Sequence, residues 1–229
     1  MARPIKETPI LFGNDARRFE ERMKQKRNVP KEEIERVREH YRIAMSIFKK
    51  GKDDEYIQST FQIRKLESDE RIESFDCGDA DLNDFILNES LFYREALLAV
   101  SYVFEDKVTG EVAAYFSLAN DRVSLSDFAD KTEFNRFRRK RFPNEKRMKS
   151  YPAGKLCRFG VNHTYQGKAL GAFLIDFIKA FFIFDNKTGC RFVTVDAYRS
   201  AMPFYEKNGF LPLLEEDDGE MTRLLYFDL

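Results

Sequence analysis

The chain has 229 residues, 43% hydrophobic and 34% charged, and its 39 basic and 39 acidic side chains cancel. This is room for one full α/β domain and a small appendage, and it excludes two large independent domains, a disordered chain and wholesale attraction to polyanions. No run reaches the roughly 18 to 20 apolar residues of a membrane span, and MARPIKETPI lacks the apolar core and cleavage site of a secretory signal, so a cytoplasmic location is expected. Three widely spaced cysteines, Cys77, Cys157 and Cys190, and two histidines provide neither a disulfide framework nor the usual zinc ligands; no metal is expected.

In chain order, Gly13 and Asn14 can open a helix carrying Ala16, Phe19 and Met23 on one face. Pro30 introduces a second, with Ile34, Val37, Tyr41, Ala44, Met45 and Phe48 at three-four spacing and Gly51 as its stop. Residues 1–55 therefore read as a helical hairpin appended to a domain over 56–229. So short a segment cannot bury its apolar stripe internally, and it must cover the domain or pair with a second copy.

From Ile57 to Leu66 the pattern alternates as in a strand, and FDCGD then caps a helix bearing Leu82, Phe85 and Ile86. Leu97 to Phe104 and Val112 to Leu118 read as a β-hairpin, and residues 119–152 as polar and irregular. Lys155 to Val161 is an apolar strand that runs into YQGKALGA, followed by an almost wholly apolar helix to Phe184 and a buried strand over Arg191 to Asp196. A short helix over Ser200 to Lys207, stopped by Asn208 and Gly209, precedes strands near Phe210 to Leu214 and Met221 to Phe227.

YQGKALGA stands where a strand becomes a helix. Unpaired N–H groups at the positive end of a helix dipole suit an anion, above all a pyrophosphate. Gly160 and Gly167 have six residues between them where a Walker loop has four, and Ala169 stands in place of its Ser or Thr. A dinucleotide fingerprint lacks its first glycine. What remains, Gln166, Gly167, Lys168, Ala169, Leu170 and Gly171, resembles the Gln/Arg-x-x-Gly-x-Gly/Ala signature of the GNAT superfamily of N-acetyltransferases, with Ala169 in place of the middle glycine. About thirty residues on, VDAYRSAMPFYEKNGF is similar to that family's second block.

The resemblance covers about residues 57–229. It implies an α/β (α+β) fold with a mixed β-sheet, centrally splayed between the strands at 156–161 and 191–196 and flanked by helices, with the hairpin outside it. It implies acetyl-CoA as cosubstrate, its pyrophosphate on the loop from Gln166 to Ala172 and its pantetheine arm paired with the backbone of Phe159, Gly160 and Val161. Tyr205 takes the position of the tyrosine that protonates the departing thiolate. No general base is evident: His163 reads as a surface loop residue, and direct attack by a neutral amine needs none. Cys157 and Cys190 read as core residues.

The segment RFRRKRFPNEKRMK is countered only by Glu145. Arg138, Arg139 and Arg141 are its candidate substrate contacts, on a basic loop over 136–149 whose neighbours Phe134, Phe137 and Phe142 have the composition that holds single-stranded RNA. Two functions follow: acetyl transfer to a primary amine of a small molecule, a protein or an aminoacyl-tRNA, or a non-catalytic module recruiting nucleic acid through that loop. FDCGDADLNDF and VDA faintly resemble the tRNA-acetylating toxin branch of the family, with residues 1–55 as an antitoxin-like element.

Overall fold

The computed structural model describes residues 60–143, 146–167, 170–184, 188–214 and 219–229, together with Glu35. The expected N-terminal hairpin, and the dimer expected through it, lie outside the described residues.

Among the described residues seven strands form one sheet: β1 (Phe61–Lys65), β2 (Val100–Asp106), β3 (Val112–Ser124), β4 (Ser150–Val161), β5 (Phe192–Tyr198), β6 (Leu211–Pro212) and β7 (Thr222–Asp228), in the order β1-β2-β3-β4-β5-β7-β6. Only the central β4–β5 pair is parallel; the others are antiparallel. The helices are α1 (Ala80–Asp84) and α2 (Ser90–Glu95), joined by a π-helical turn over Phe85–Glu89, then α3 (Lys131–Arg141), α4 (Leu170–Phe184) and α5 (Met202–Lys207).

Strand alternation sorts the core into two layers. Phe104, Phe116, Leu156, Val193 and Leu225 pack with α4 on one face. On the opposite face Val103 and Tyr115 pack with Phe85 and Ile86, while Tyr151, Phe192 and Tyr226 pack with Phe134 and Phe137 of α3. The sheet is thus covered by α4 on one side and by the α1 region and α3 on the other.

The expected splay has a visible cause. β4 and β5 pair only from Ala153↔Phe192 to Lys155↔Thr194. Immediately beyond, the β3–β4 register jumps from Leu118↔Leu156 to Ser117↔Arg158, which leaves Cys157 as an extra bulged residue. A bulge bends its strand and ends regular pairing, so β4 turns away from β5 at Cys157.

The stretch 119–152 is more ordered than its polarity suggests. β3 continues to Ser124, and α3 follows. The Asp130 carboxylate accepts hydrogen bonds from the N–H groups of Thr132 and Glu133, capping α3, and Arg138, Arg139, Lys140 and Arg141 occupy its last turn. Acid at the start and base at the end both suit the helix dipole. The first half of the basic run is therefore helix, and its rings do not face solvent: Phe134 and Phe137 are buried and Phe142 stacks on Tyr151 with centroids 4.1 Å apart.

Candidate active site

The end of β4 and the start of α4 enclose a cavity of about 560 Å³, lined by Phe159, Val161, Tyr165, Gln166, Gly167, Leu170, Gly171, Ala172, Phe204, Lys207 and Asn208. Its shape begins with the turn after β4. Asn162 Oδ1 accepts from the Thr164 N–H and hydroxyl, which folds residues 163–165 into a short 3-10 turn. Gln166 Nε2 then donates to the carbonyls of Cys77 and Val161, both at 2.9 Å, tying the loop to the segment that caps α1. Gly167 adopts a φ of 75°, the left-handed region that glycine occupies without strain.

Of the expected loop residues, the structure brings Gln166, Gly167, Leu170, Gly171 and Ala172 to this cavity. Lys168 and Ala169 lie outside the described residues. The N–H groups of Leu170, Gly171 and Ala172 lie at the N-terminal end of the described part of α4, the end that carries the positive pole of the helix dipole. Gly171 is needed for space: a Cβ there would lie 3.2 Å from the Phe204 ring.

Along β4, Phe159 and Val161 line the cavity, whereas Gly160 is buried against Tyr115 and Phe75 on the other face. The Asn162 N–H bonds Ala113, so alternation turns the peptide groups of Phe159 toward the unpaired edge.

A second cavity of about 520 Å³ shares Phe159 with the first and lies between the splayed strands and the α1 region. Tyr205 lines it. Its side chain is buried against Phe204 and Phe210, and its hydroxyl has no hydrogen-bond partner among the described residues. Burial pushes its phenol pKa well above the ordinary value, so it is a proton donor, not a phenolate, across the physiological range.

Asp81, Lys155, Arg158 and Asp196 on this second wall were not singled out from the sequence. Lys155 pairs with Asp196 at 2.5 Å, and Arg158 approaches Asp81 at 3.9 Å while its guanidinium lies over the Phe85 ring. The Tyr198 hydroxyl donates to Asp81 at 3.3 Å, and the Asp81 charge raises that phenol's pKa. Burial opposes the Lys155 charge, but the hydrogen bond and charge of Asp196 together with the charge of Asp121 hold the ammonium pKa above its usual value. Asp81 comes from α1 and Asp196 from β5, more than a hundred residues apart, so only alternation along β4 and β5 hinted at these neighbours. His163 is held against Asp76, its Nδ1 3.1 Å from that residue's carbonyl, and lines neither cavity. The three thiols are half-buried, and burial raises the pKa of each.

The three candidate substrate arginines separate. Arg141 stacks on Phe137 and Tyr226, donates to the Tyr226 hydroxyl and pairs with Asp228. Arg138 lies over Phe134 and donates to the carbonyls of Arg147 and Met148. Arg139 faces solvent, beside Arg136 and Lys140 on the outer side of α3.

Among the described residues no cluster of three His, Cys, Asp or Glu side chains could hold a metal ion, and no helix is long and apolar enough to cross a membrane. Residues 146–225 match the family model described as acetyltransferase (GNAT) domain. No curated protein matches the chain. Among solved structures, AtaT complexed with acetyl-methionyl-tRNAfMet is similar at 22% identity and a TM-score of 0.58, over 73% of this chain and 94% of that one. A tyrosine-to-phenylalanine mutant of KacT is similar at 19% identity and 0.58, over 74% and 95%, and AtaTR bound with acetyl-CoA at 22% and 0.56, over 74% and 94%. At these identities the structural likeness speaks for the fold. The sheet order and the match over 146–225 agree: that part of the chain is similar to an acetyltransferase (GNAT) domain, and the fold is that of the solved acetyltransferase structures.

Proposed function

We propose that the protein is an N-acetyltransferase that moves an acetyl group from acetyl-CoA to a primary amine by direct attack in a ternary complex. The observation that carries this reading is Tyr205: an unpartnered, protonated phenol opens on a cavity that shares Phe159 with the helix-start cavity, where β4 and β5 part.

The residues fit the cosubstrate. The α4 N-terminus, with Lys207 opposite, suits a pyrophosphate. The free edge of Phe159 suits an amide-bearing arm that pairs like an added strand, and the Phe159 and Phe204 rings provide apolar walls. With the thioester at the gap, an amine in the second cavity attacks the carbonyl carbon. The C–N bond forms, the C–S bond breaks, and Tyr205 donates its proton to the leaving sulfur and recovers one from the amine through water. Holding both reactants in one cleft supplies much of the rate.

The acceptor is a primary amine. An aminoacyl-tRNA is favoured by the solvent-facing row Arg136, Arg139 and Lys140 and by the acetyl-methionyl-tRNA with which AtaT is complexed. The rival reading, a non-catalytic module recruiting nucleic acid, draws on the same cationic row.

Isothermal titration of the full chain with acetyl-CoA, beside Gly171→Glu, tests the cosubstrate. Binding that the substitution abolishes supports it; no binding up to millimolar concentration sinks it. Mass spectrometry of total tRNA, protein and small amines after incubation with labelled acetyl-CoA identifies the acceptor, and binding without transfer to any of them favours the non-catalytic module.

A further inference from the structure

α4 is apolar along nearly its whole length, yet Asp176 and Lys179 sit one turn apart inside it with no exposed surface. Apolar residues would serve the packing there. Replacing a buried ion pair by well-packed hydrophobic residues is often neutral or stabilising, so such a pair is weak evidence for a stability role.

Its contacts point elsewhere. Lys179 Nζ lies 3.4 Å from Asp176 Oδ1 and donates to the backbone carbonyl of Asn208 at 2.6 Å. The ammonium is 4.2 Å from the centroid of the Phe227 ring. Asn208 is the C-cap of α5: its N–H donates to the carbonyls of Phe204 and Tyr205, and its Nδ2 to Phe204 at 2.7 Å. It also lines the helix-start cavity. A charged hydrogen bond is directional where an aliphatic contact is not, so Lys179 sets where α5 ends, and with it the placement of Phe204, Tyr205 and Asn208. α4 itself begins at the loop that closes the other end of that cavity.

We propose that the buried Asp176–Lys179 pair is a positioning device that locks α5 against α4 and so holds the two walls of the cofactor cleft in register. It rests on the acetyl-CoA reading of that cleft. Asp176 pairs with the Lys179 ammonium inside the core, and Lys179 transmits the register to Asn208.

The test uses the full chain. Asp176→Leu with Lys179→Met removes both charges together and leaves neither unpaired. Its melting temperature is expected at or above that of the wild type, while the Kd for acetyl-CoA by isothermal titration rises at least tenfold. Asp176→Asn with Lys179→Gln, a neutral pair that retains a donor for the Asn208 carbonyl, is expected to restore the Kd to within about threefold of wild type. An apolar variant that binds acetyl-CoA as the wild type does, or that fails to fold, overturns the proposal, as does a neutral pair as weak as the apolar one. A wild type that does not bind acetyl-CoA defeats the cosubstrate reading instead.

Discussion

Gly171 and Phe204 meet across the helix-start cavity, with 3.2 Å between the ring and the place where a Cβ on the glycine would stand. The first turn of α4 and the α5 helix are therefore pressed together, and a side chain at 171 has only the cavity to enter. Gly171→Ala asks the ring to give by a few tenths of an ångström and is expected to weaken acetyl-CoA binding by less than about tenfold, roughly 1.4 kcal/mol. Gly171→Glu fills the cavity and brings a carboxylate to the proposed pyrophosphate position; binding is expected to be lost in a calorimetric titration while the melting temperature stays near that of the wild type.

Tyr205→Phe separates chemistry from binding. The hydroxyl has no partner among the described residues, so its removal is expected to change stability by less than about 1 kcal/mol and to leave acetyl-CoA affinity nearly intact. Turnover is expected to fall by roughly 10²-fold if the phenol is the general acid. Single-turnover rates with labelled acetyl-CoA check this, and an unchanged rate removes the role.

Alkaline pH should loosen the fold through two phenols. Burial raises the pKa of Tyr115 and of Tyr205 above the ordinary 10.0. Below pH 10 both stay protonated in the folded and unfolded chain, and their contribution is fully present. Above it the unfolded chain ionises first, so stability falls by up to about 1.4 kcal/mol per pH unit for each phenol until its folded pKa is reached. Thermal melts from pH 9 upward, flattened by Tyr115→Phe or Tyr205→Phe, are the measurement; an unflattened slope would assign the loss to other groups.

Arginines two residues apart on α3 should behave differently. Arg141→Ala removes stacking on two rings and the pair with Asp228 and is expected to cost about 1–3 kcal/mol. Arg139→Ala, on the outer side, is expected to stay within about 0.5 kcal/mol of wild type. If α3 holds a polyanion, Arg136→Glu with Arg139→Glu and Lys140→Glu weakens RNA binding and flattens its salt dependence in a filter-binding titration. Unchanged RNA affinity would remove that surface from the acceptor question.

Much of the fold was legible because its signals are local. FDCGD capped a helix as its Asp spacing implied, the apolar run before Phe184 formed α4, and Gly209, with a φ of 83°, ended the helix it was expected to end. α3 was missed although Asp130, Glu133 and the Phe134/Phe137 spacing were in view, because four cations in its last turn resemble a solvated loop when the dipole they cap is not considered. The bulge at Cys157 left no trace, since one extra residue in a half-buried strand changes neither composition nor mean hydropathy.

By itself the sequence determined that a helix follows YQGKALGA and that FYEKNGF closes a short helix bearing Tyr205, for both depend on contacts within a few residues. The tertiary structure alone decided that β4 leaves β5 at Cys157, that Gly160 faces Tyr115 and not the cleft, that Arg141 is bound internally while Arg139 is outside, and that Lys179 reaches Asn208. Those pairings join residues tens of positions apart, and their geometry follows from how α4 and the sheet pack, which no window of neighbouring residues contains.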